Sequence, residues 1–159
     1  KSYEIPDSGL LGLYSDYPEQ VDELPPALLS IQFPKESGDV IVLLQADSLN
    51  QTYSYFLIED SVDAFPSGSV LVMNFTRKSV YAKFGEERVK VDSGQREVVP
   101  LAKQMDVPFN GGVKFAAEFD GYGKVFSSSS WYLLSTMKIF CIIFPDENGN
   151  PQIRRIRLT

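Results

Sequence analysis

The side chains with the most evident catalytic potential are two groups of carboxylates. Glu59, Asp60 and Asp63 lie in an acidic connector, and Glu86 and Glu87 follow a glycine. A pair of carboxylates can act as acid and base in glycoside hydrolysis. Both groups adjoin Gly or Pro, where turns with solvated acids are common. We therefore predict a non-catalytic protein and keep a carboxylate-dependent hydrolase as an alternative.

Nucleophilic catalysis is disfavoured by the composition. The 159 residues include no histidine and a single cysteine, Cys141. Serine and cysteine nucleophiles need an adjacent base, so neither Cys141 nor the serine run 127–130 is predicted to react. The lack of histidine also removes His-ligated zinc, copper and iron sites. Cys141 lies within the apolar run 139–144 and is predicted to be a buried thiol, and no cofactor is expected.

Residues 145–151, Pro-Asp-Glu-Asn-Gly-Asn-Pro, partly match a calcium-binding loop. Asp146, Asn148 and Asn150 occupy alternate positions, as ligands do in such a loop. Pro151 stands where the loop requires glycine, and Arg157 stands where it requires glutamate. Asn-Gly is a strong hairpin signal, so we predict a hairpin and no metal site.

A basic surface is predicted on a hairpin in the middle of the chain. Apolar residues alternate with polar ones in segments 80–84 and 88–91, and a Gly-Glu pair between them can close a two-residue turn. That turn places Lys83 opposite Arg88 on the outer face, and like charges in this position are destabilising unless an anion lies nearby. We predict that this face binds acidic groups of the N-terminal segment or of a partner. The candidate interaction surface consists of Tyr81, Lys83, Arg88 and Lys90.

A second hairpin is predicted after the first. Residues 92–95, Asp-Ser-Gly-Gln, have the composition of a tight turn. If these four residues form the loop, Val89 faces Val98 and Lys90 faces Glu97.

The chain length and the frequent glycines and prolines predict the architecture. A chain of 17.8 kDa with 43% hydrophobic residues can bury a substantial core without disulfides or metals. Eleven glycines and ten prolines separate short alternating segments, which predicts an all-β, mostly antiparallel β-sandwich or distorted barrel of about ten short strands. We expect an irregular acidic N-terminal arm at residues 1–26 and a single β-sandwich domain at residues 27–159.

The charge is divided unevenly along the chain. The net charge is −6, with −10 in residues 1–66 and +4 in residues 67–159. An acidic protein is a poor non-specific ligand for nucleic acid, so no nucleic-acid partner is predicted. No apolar run reaches the roughly 20 residues that a transmembrane helix needs, so no transmembrane segment is predicted in this chain.

Several short motifs suggest a family. Residues 69–76 have the form S-x-x-x-x-N-x-[ST] and precede a V-x-x-x-x-G hairpin at 80–85 and a Gly-containing turn at 92–94. Trp131 then precedes an apolar strand that ends in Pro-Asp and a Gly-bearing turn. In these features the chain resembles uncharacterised exported β-proteins of bacteria. The resemblance implies a β-sandwich and export to the periplasm, cell envelope or medium, and it brings no catalytic residue.

These observations predict a protein-interaction or envelope-associated module. Its partner would be another envelope protein or a glycan. The alternative of a carbohydrate-binding module depends on eight tyrosines and one tryptophan, whose flat rings can stack on sugars.

Overall fold

The prediction of an all-β fold is confirmed. The computed structural model describes residues 7–14, 26–35, 38–47, 52–102, 107–119 and 122–158. These residues form twelve strands, and within them no helix has the length and apolar character to cross a membrane. The strands are β1 (Leu10–Leu13), β2 (Leu29–Gln32), β3 (Val40–Asp47), β4 (Thr52–Glu59), β5 (Ser69–Asn74), β6 (Val80–Phe84), β7 (Glu87–Val91), β8 (Arg96–Pro100), β9 (Phe109–Phe119), β10 (Tyr122–Leu133), β11 (Lys138–Pro145) and β12 (Pro151–Leu158).

The chain divides into two compact units, Lys1–Ser61 and Val62–Thr159. In the first unit, β1 pairs with β2 and β3 pairs with β4, both antiparallel. Strand β1 lies in the segment that was expected to be irregular, and the pairing with β2 explains how so short a strand is held. The predicted division into an arm and a single domain from residue 27 stays a prediction.

The second unit is built from two four-stranded sheets. One has the strand order β10-β9-β6-β7, and the other has the order β12-β11-β5-β8. The pairing of β5 with β11 is parallel, and the other pairings in these sheets are antiparallel. Apolar side chains from both sheets form one core, as in a β-sandwich. The largest core side chains include Phe84, Phe115, Trp131, Leu133, Ile139 and Ile143.

The predicted register of the first hairpin is confirmed. Val80 faces Val91 and Lys83 faces Arg88 in the β6–β7 pair. Gly85 opens the turn with φ of +59°, a backbone conformation that side chains with a Cβ disfavour. The apolar set therefore faces the core, and the polar set faces outward.

The predicted second hairpin is wrong in its pairing. The turn forms, with the Gln95 N–H donating to the Asp92 carbonyl at 3.0 Å, but the chain then crosses to the other sheet. Strand β8 pairs with β5, so that Val98 faces Leu71 instead of Val89, and Glu97 faces Val72 instead of Lys90. All six residues of β5 are buried, and a strand beside them buries more apolar surface than a strand that extends the β7 edge.

Candidate functional site

The predicted interaction surface lies on the outer face of the sheet β10-β9-β6-β7. Strand β6 has β7 on one side and β9 on the other. Arg88, Lys83 and Lys114 are consecutive cross-strand partners in this arrangement. Adjacent strands are about 4.8 Å apart, so three cationic side chains stand in one row across three strands. We call these three residues the basic row.

A second row runs beside the first. Lys90 faces Tyr81, Tyr81 faces Ala116, and Ala116 faces Val125 on β10. The two rows enclose a shallow groove of about 540 Å³. The structure thus brings all four predicted surface residues together. The outward side chains that line this groove, the basic groove, are Tyr81, Lys83, Arg88, Lys90, Lys114, Ala116 and Val125.

The positively charged side chains of the groove differ in how closely a carboxylate pairs with them. Lys90 forms a 2.8 Å ion pair with Asp92, and this hydrogen bond raises the pKa of Lys90 and lowers that of Asp92. Lys83 pairs with Glu86 at 3.7 Å, and because the Glu86 side chain is 95% exposed, the attraction is weak. Among the described residues, neither Arg88 nor Lys114 has a carboxylate oxygen within 4.0 Å. The uncompensated charge is therefore concentrated in the basic row.

Lys114 is the functional candidate that sequence reasoning missed. It alternates outward along β9, as the pattern of residues 113–119 indicates, but nothing in that pattern states which strand lies beside it. Its place opposite Lys83 follows from the β6–β9 pairing, which joins residues about thirty positions apart. Local turn chemistry determines the β6–β7 register and gives no information on this one.

The contacts of Cys141 and of the serine run are those of structural residues. Cys141 is buried in the core, and this burial raises the pKa of its thiol to about 12 although Arg155 acts in the opposite direction. A thiol with such a pKa is a poor nucleophile at neutral pH. Within the serine run on β10, Ser129 accepts a hydrogen bond of 2.8 Å from Nε1 of Trp131.

The loop that resembles a calcium site is a hairpin loop, as predicted. It joins β11 to β12, whose last paired residues are Pro145 and Pro151. One carboxylate oxygen of Asp146 accepts the N–H groups of Asn148 at 2.9 Å and Asn150 at 2.7 Å. These bonds lower the pKa of Asp146. Across the part of the chain that the structure describes, no three His, Cys, Asp or Glu residues are grouped to hold a metal ion.

The S-x-x-x-x-N-x-[ST] motif has a structural role. Ser69, Asn74 and Thr76 are all buried. The Asn74 amide donates to the carbonyls of Lys78 and Val91 at 2.8 and 2.9 Å. Its oxygen accepts from the N–H and the hydroxyl of Thr76. The motif therefore connects the end of β5 to the neighbouring loop and to β7.

Comparison with known proteins gives no family for this chain. No family model matches it, and no curated protein matches it. The class that the structure defines is an all-β protein whose second unit packs two four-stranded sheets and has a basic groove on one outer face.

Proposed function

We propose that this protein is a non-catalytic binding module that recognises an acidic segment of a partner protein through the basic groove. The observation that carries the proposal is the basic row, in which Arg88, Lys83 and Lys114 are consecutive in-register partners on three adjacent strands. Folding alone gives no reason for this arrangement, since like charges that face each other across strands destabilise a sheet. A carboxylate bound between them would remove the repulsion.

The proposed interaction is moderate in strength. An exposed ion pair contributes about 0–1 kcal/mol, so no single carboxylate would bind firmly to the basic row. Several acidic side chains on one extended segment would act together. Charges on an open surface are also screened by salt, with a Debye length of about 8 Å at physiological ionic strength. We therefore expect binding that depends on several acids and declines with ionic strength.

The proposed cellular setting is supported by the resemblance to exported proteins alone. We propose that the protein is exported and acts at the periplasmic or outer surface of the cell envelope, where another envelope protein would supply the acidic segment. Fractionation of cells that express the full-length native gene, followed by immunodetection, tests this setting. Recovery only in the cytoplasmic fraction would contradict it.

A carbohydrate ligand is the second candidate. The only tryptophan of the sequence, Trp131, is 5% exposed and lies beneath the guanidinium of Arg155 at 4.8 Å. The indole ring of Trp131 is therefore not accessible for stacking on a sugar. Tyr81 in the groove is exposed and can stack on a sugar. Because the side chains around Tyr81 are cationic, an anionic glycan is favoured over a neutral one.

Charge reversal tests the proposed function. We would measure the binding of a fluorescein-labelled peptide with alternating Glu and Thr by anisotropy, at about 50 and about 500 mM NaCl. Lys114→Glu and the double variant K83E/K114E are expected to weaken binding by about tenfold or more. The matched control is Arg154→Glu, which reverses an exposed charge on β12 in the other sheet. Equal binding by all these proteins would refute the proposal, and binding of a sulfated glycan but not of the peptide would favour the second candidate.

A further inference from the structure

The free edge of β10 offers a second element of recognition. With 12 residues, β10 is the longest of the described strands, and it is the outermost strand of its sheet. Within the described part of the chain, β9 is its one hydrogen-bonded neighbour. One side of an outermost strand presents main-chain N–H and C=O groups that no neighbouring strand satisfies.

The other three edges of the sandwich carry features that discourage strand addition. Strands β7 and β8 have five residues each, and short edge strands are poor templates. Strand β12 begins with Pro151 and carries three arginines. By contrast, β10 has a single charged residue, Lys124, and no proline. Charge and proline are the usual means by which proteins protect an edge, and β10 has almost none of either.

The regular part of β10 is long enough to accept a strand. A bulge interrupts its pairing with β9 between Val125 and Ser127. Beyond the bulge, residues 127–133 pair with β9 without a break. These seven residues exceed the usual strand length of five to six.

The side chains around this edge select an acidic strand. Ser128 lies on the outer face of β10 directly opposite Lys114. A strand added beyond β10 would be about 10 Å from β9, which is twice the strand spacing. The serine side chain is short and leaves the space above it open, so Lys114 can reach a glutamate on the added strand. The other two residues of the basic row, Lys83 and Arg88, add positive charge on the same face.

We propose that the acidic partner segment binds as an additional β-strand along β10 and directs its outward carboxylates to Lys114 and the basic row. This inference rests on the proposed function and adds the mode of recognition. Main-chain hydrogen bonds to β10 would hold the segment, and the charges would select its sequence, which is the division of roles in other cases of strand addition.

The test compares three peptides of the same sequence. The first is the unmodified peptide of alternating Glu and Thr, and the second carries N-methyl groups on alternate residues along the edge that would pair with β10. N-methylation removes main-chain donors and leaves the charge unchanged. The third peptide has the complementary set of residues methylated, which places the methyl groups on the opposite edge, and is the matched control.

We expect one methylated peptide to bind about tenfold or more weakly and the other to bind like the unmodified peptide. Hydrogen exchange with the unmodified peptide should slow in segment 122–133. If both methylated peptides bind like the parent while K83E/K114E abolishes binding, the strand addition is refuted and the proposed function stands. If exchange slows in 80–91 without a change in 122–133, the strand addition is likewise refuted. Failure of every peptide to bind refutes both proposals. Sedimentation tests the remaining occupant, a second copy of this chain. If the protein dimerises through β10 and thereby excludes the peptides, the acidic segment is refuted as the occupant.

Discussion

Replacement of Asn74 by alanine is expected to destabilise the second unit strongly. The Asn74 side chain is 1% exposed at the end of β5. Its amide group donates two hydrogen bonds, to Lys78 and Val91, and accepts two, from the N–H and hydroxyl of Thr76. Asn74→Ala removes all four bonds and leaves the buried carbonyl of Val91 without this partner.

The size of the effect follows from these contacts. A hydrogen bond contributes about 1 kcal/mol net, and a buried group left unpaired costs about 1–3 kcal/mol. Part of the loss is offset where water reaches the loop around Lys78, which is exposed. We therefore expect the free energy of unfolding to fall by about 3–5 kcal/mol. The turn at 92–95 should loosen as well, because the Gly94 N–H donates to the main-chain carbonyl of residue 74 and Ser93 Oγ donates to that of Thr76, and the Asn74 side chain holds this segment in place.

Ser69→Ala is the matched control at the other end of the same strand. Ser69 is 0% exposed, and among the described residues its hydroxyl has no hydrogen-bond partner. Removal of a buried polar group without a partner costs little or is favourable. We expect the free energy of unfolding to stay within about 1 kcal/mol of the wild-type value.

Urea unfolding followed by tryptophan fluorescence measures both variants. Trp131 is the only tryptophan in the sequence and lies in the core of the second unit, so its signal reports the unfolding of that unit. Two-state analysis gives the free energies, provided that near-UV circular dichroism yields the same transition. The reasoning is refuted if Asn74→Ala costs less than about 1 kcal/mol or no more than Ser69→Ala.

Three further outcomes are expected from single residues. The thiol of Cys141, with a pKa raised to about 12 by burial, should not react with Ellman's reagent at neutral pH until the protein unfolds in urea; rapid reaction of the folded protein would contradict its burial. Folding lowers the pKa of Asp146 from its ordinary value of 3.8, so its contribution to stability should be complete above that pH and decline as the pH falls through the lowered value. Asp146→Asn should remove this part of the acid dependence in urea titrations between about pH 2 and 7, and an unchanged acid dependence would show that the loop does not stabilise the carboxylate. Gly85→Ala should destabilise the β6–β7 turn by about 1 kcal/mol or more, because φ at Gly85 is +59°. Gly123→Ala is the control: the added Cβ meets open space, so this variant should have a smaller effect in the same urea assay.

The features that were predicted correctly are those that a turn determines locally. The β6–β7 register follows from two alternating segments and one Gly-containing turn, because a slip by one residue would turn the apolar set outward. The same reasoning failed for residues 92–98. The turn composition was correct, yet β8 joined β5, because pairing with a buried strand outweighs pairing with the nearest one in sequence.

The features that could not be predicted depend on contacts between distant segments. The parallel pairing of β5 with β11 has no local signal, since residues about seventy positions apart in the chain meet in it. The run at the start of β3 is apolar on both faces, a pattern typical of a central strand, but β3 belongs to a two-stranded sheet with β4. Two of the three residues of the basic row, Lys83 and Arg88, were predicted from the hairpin, whereas Lys114 required the β6–β9 pairing.

The two sheets of the second unit divide stability from recognition. In the sheet β12-β11-β5-β8, both faces contain buried residues: Val70 and Val72 belong to the core, and Phe140 on the opposite face stacks on Phe65 with 5.3 Å between the ring centroids. The sheet β10-β9-β6-β7 presents its basic outer face to solvent. Charge reversal in the basic row should therefore weaken binding without destabilising the sheet, whereas Asn74→Ala should lower stability through contacts that lie away from the groove. Because folding explains the 69–76 motif, it carries no information on function, and function has to be tested at the outer face and at the β10 edge.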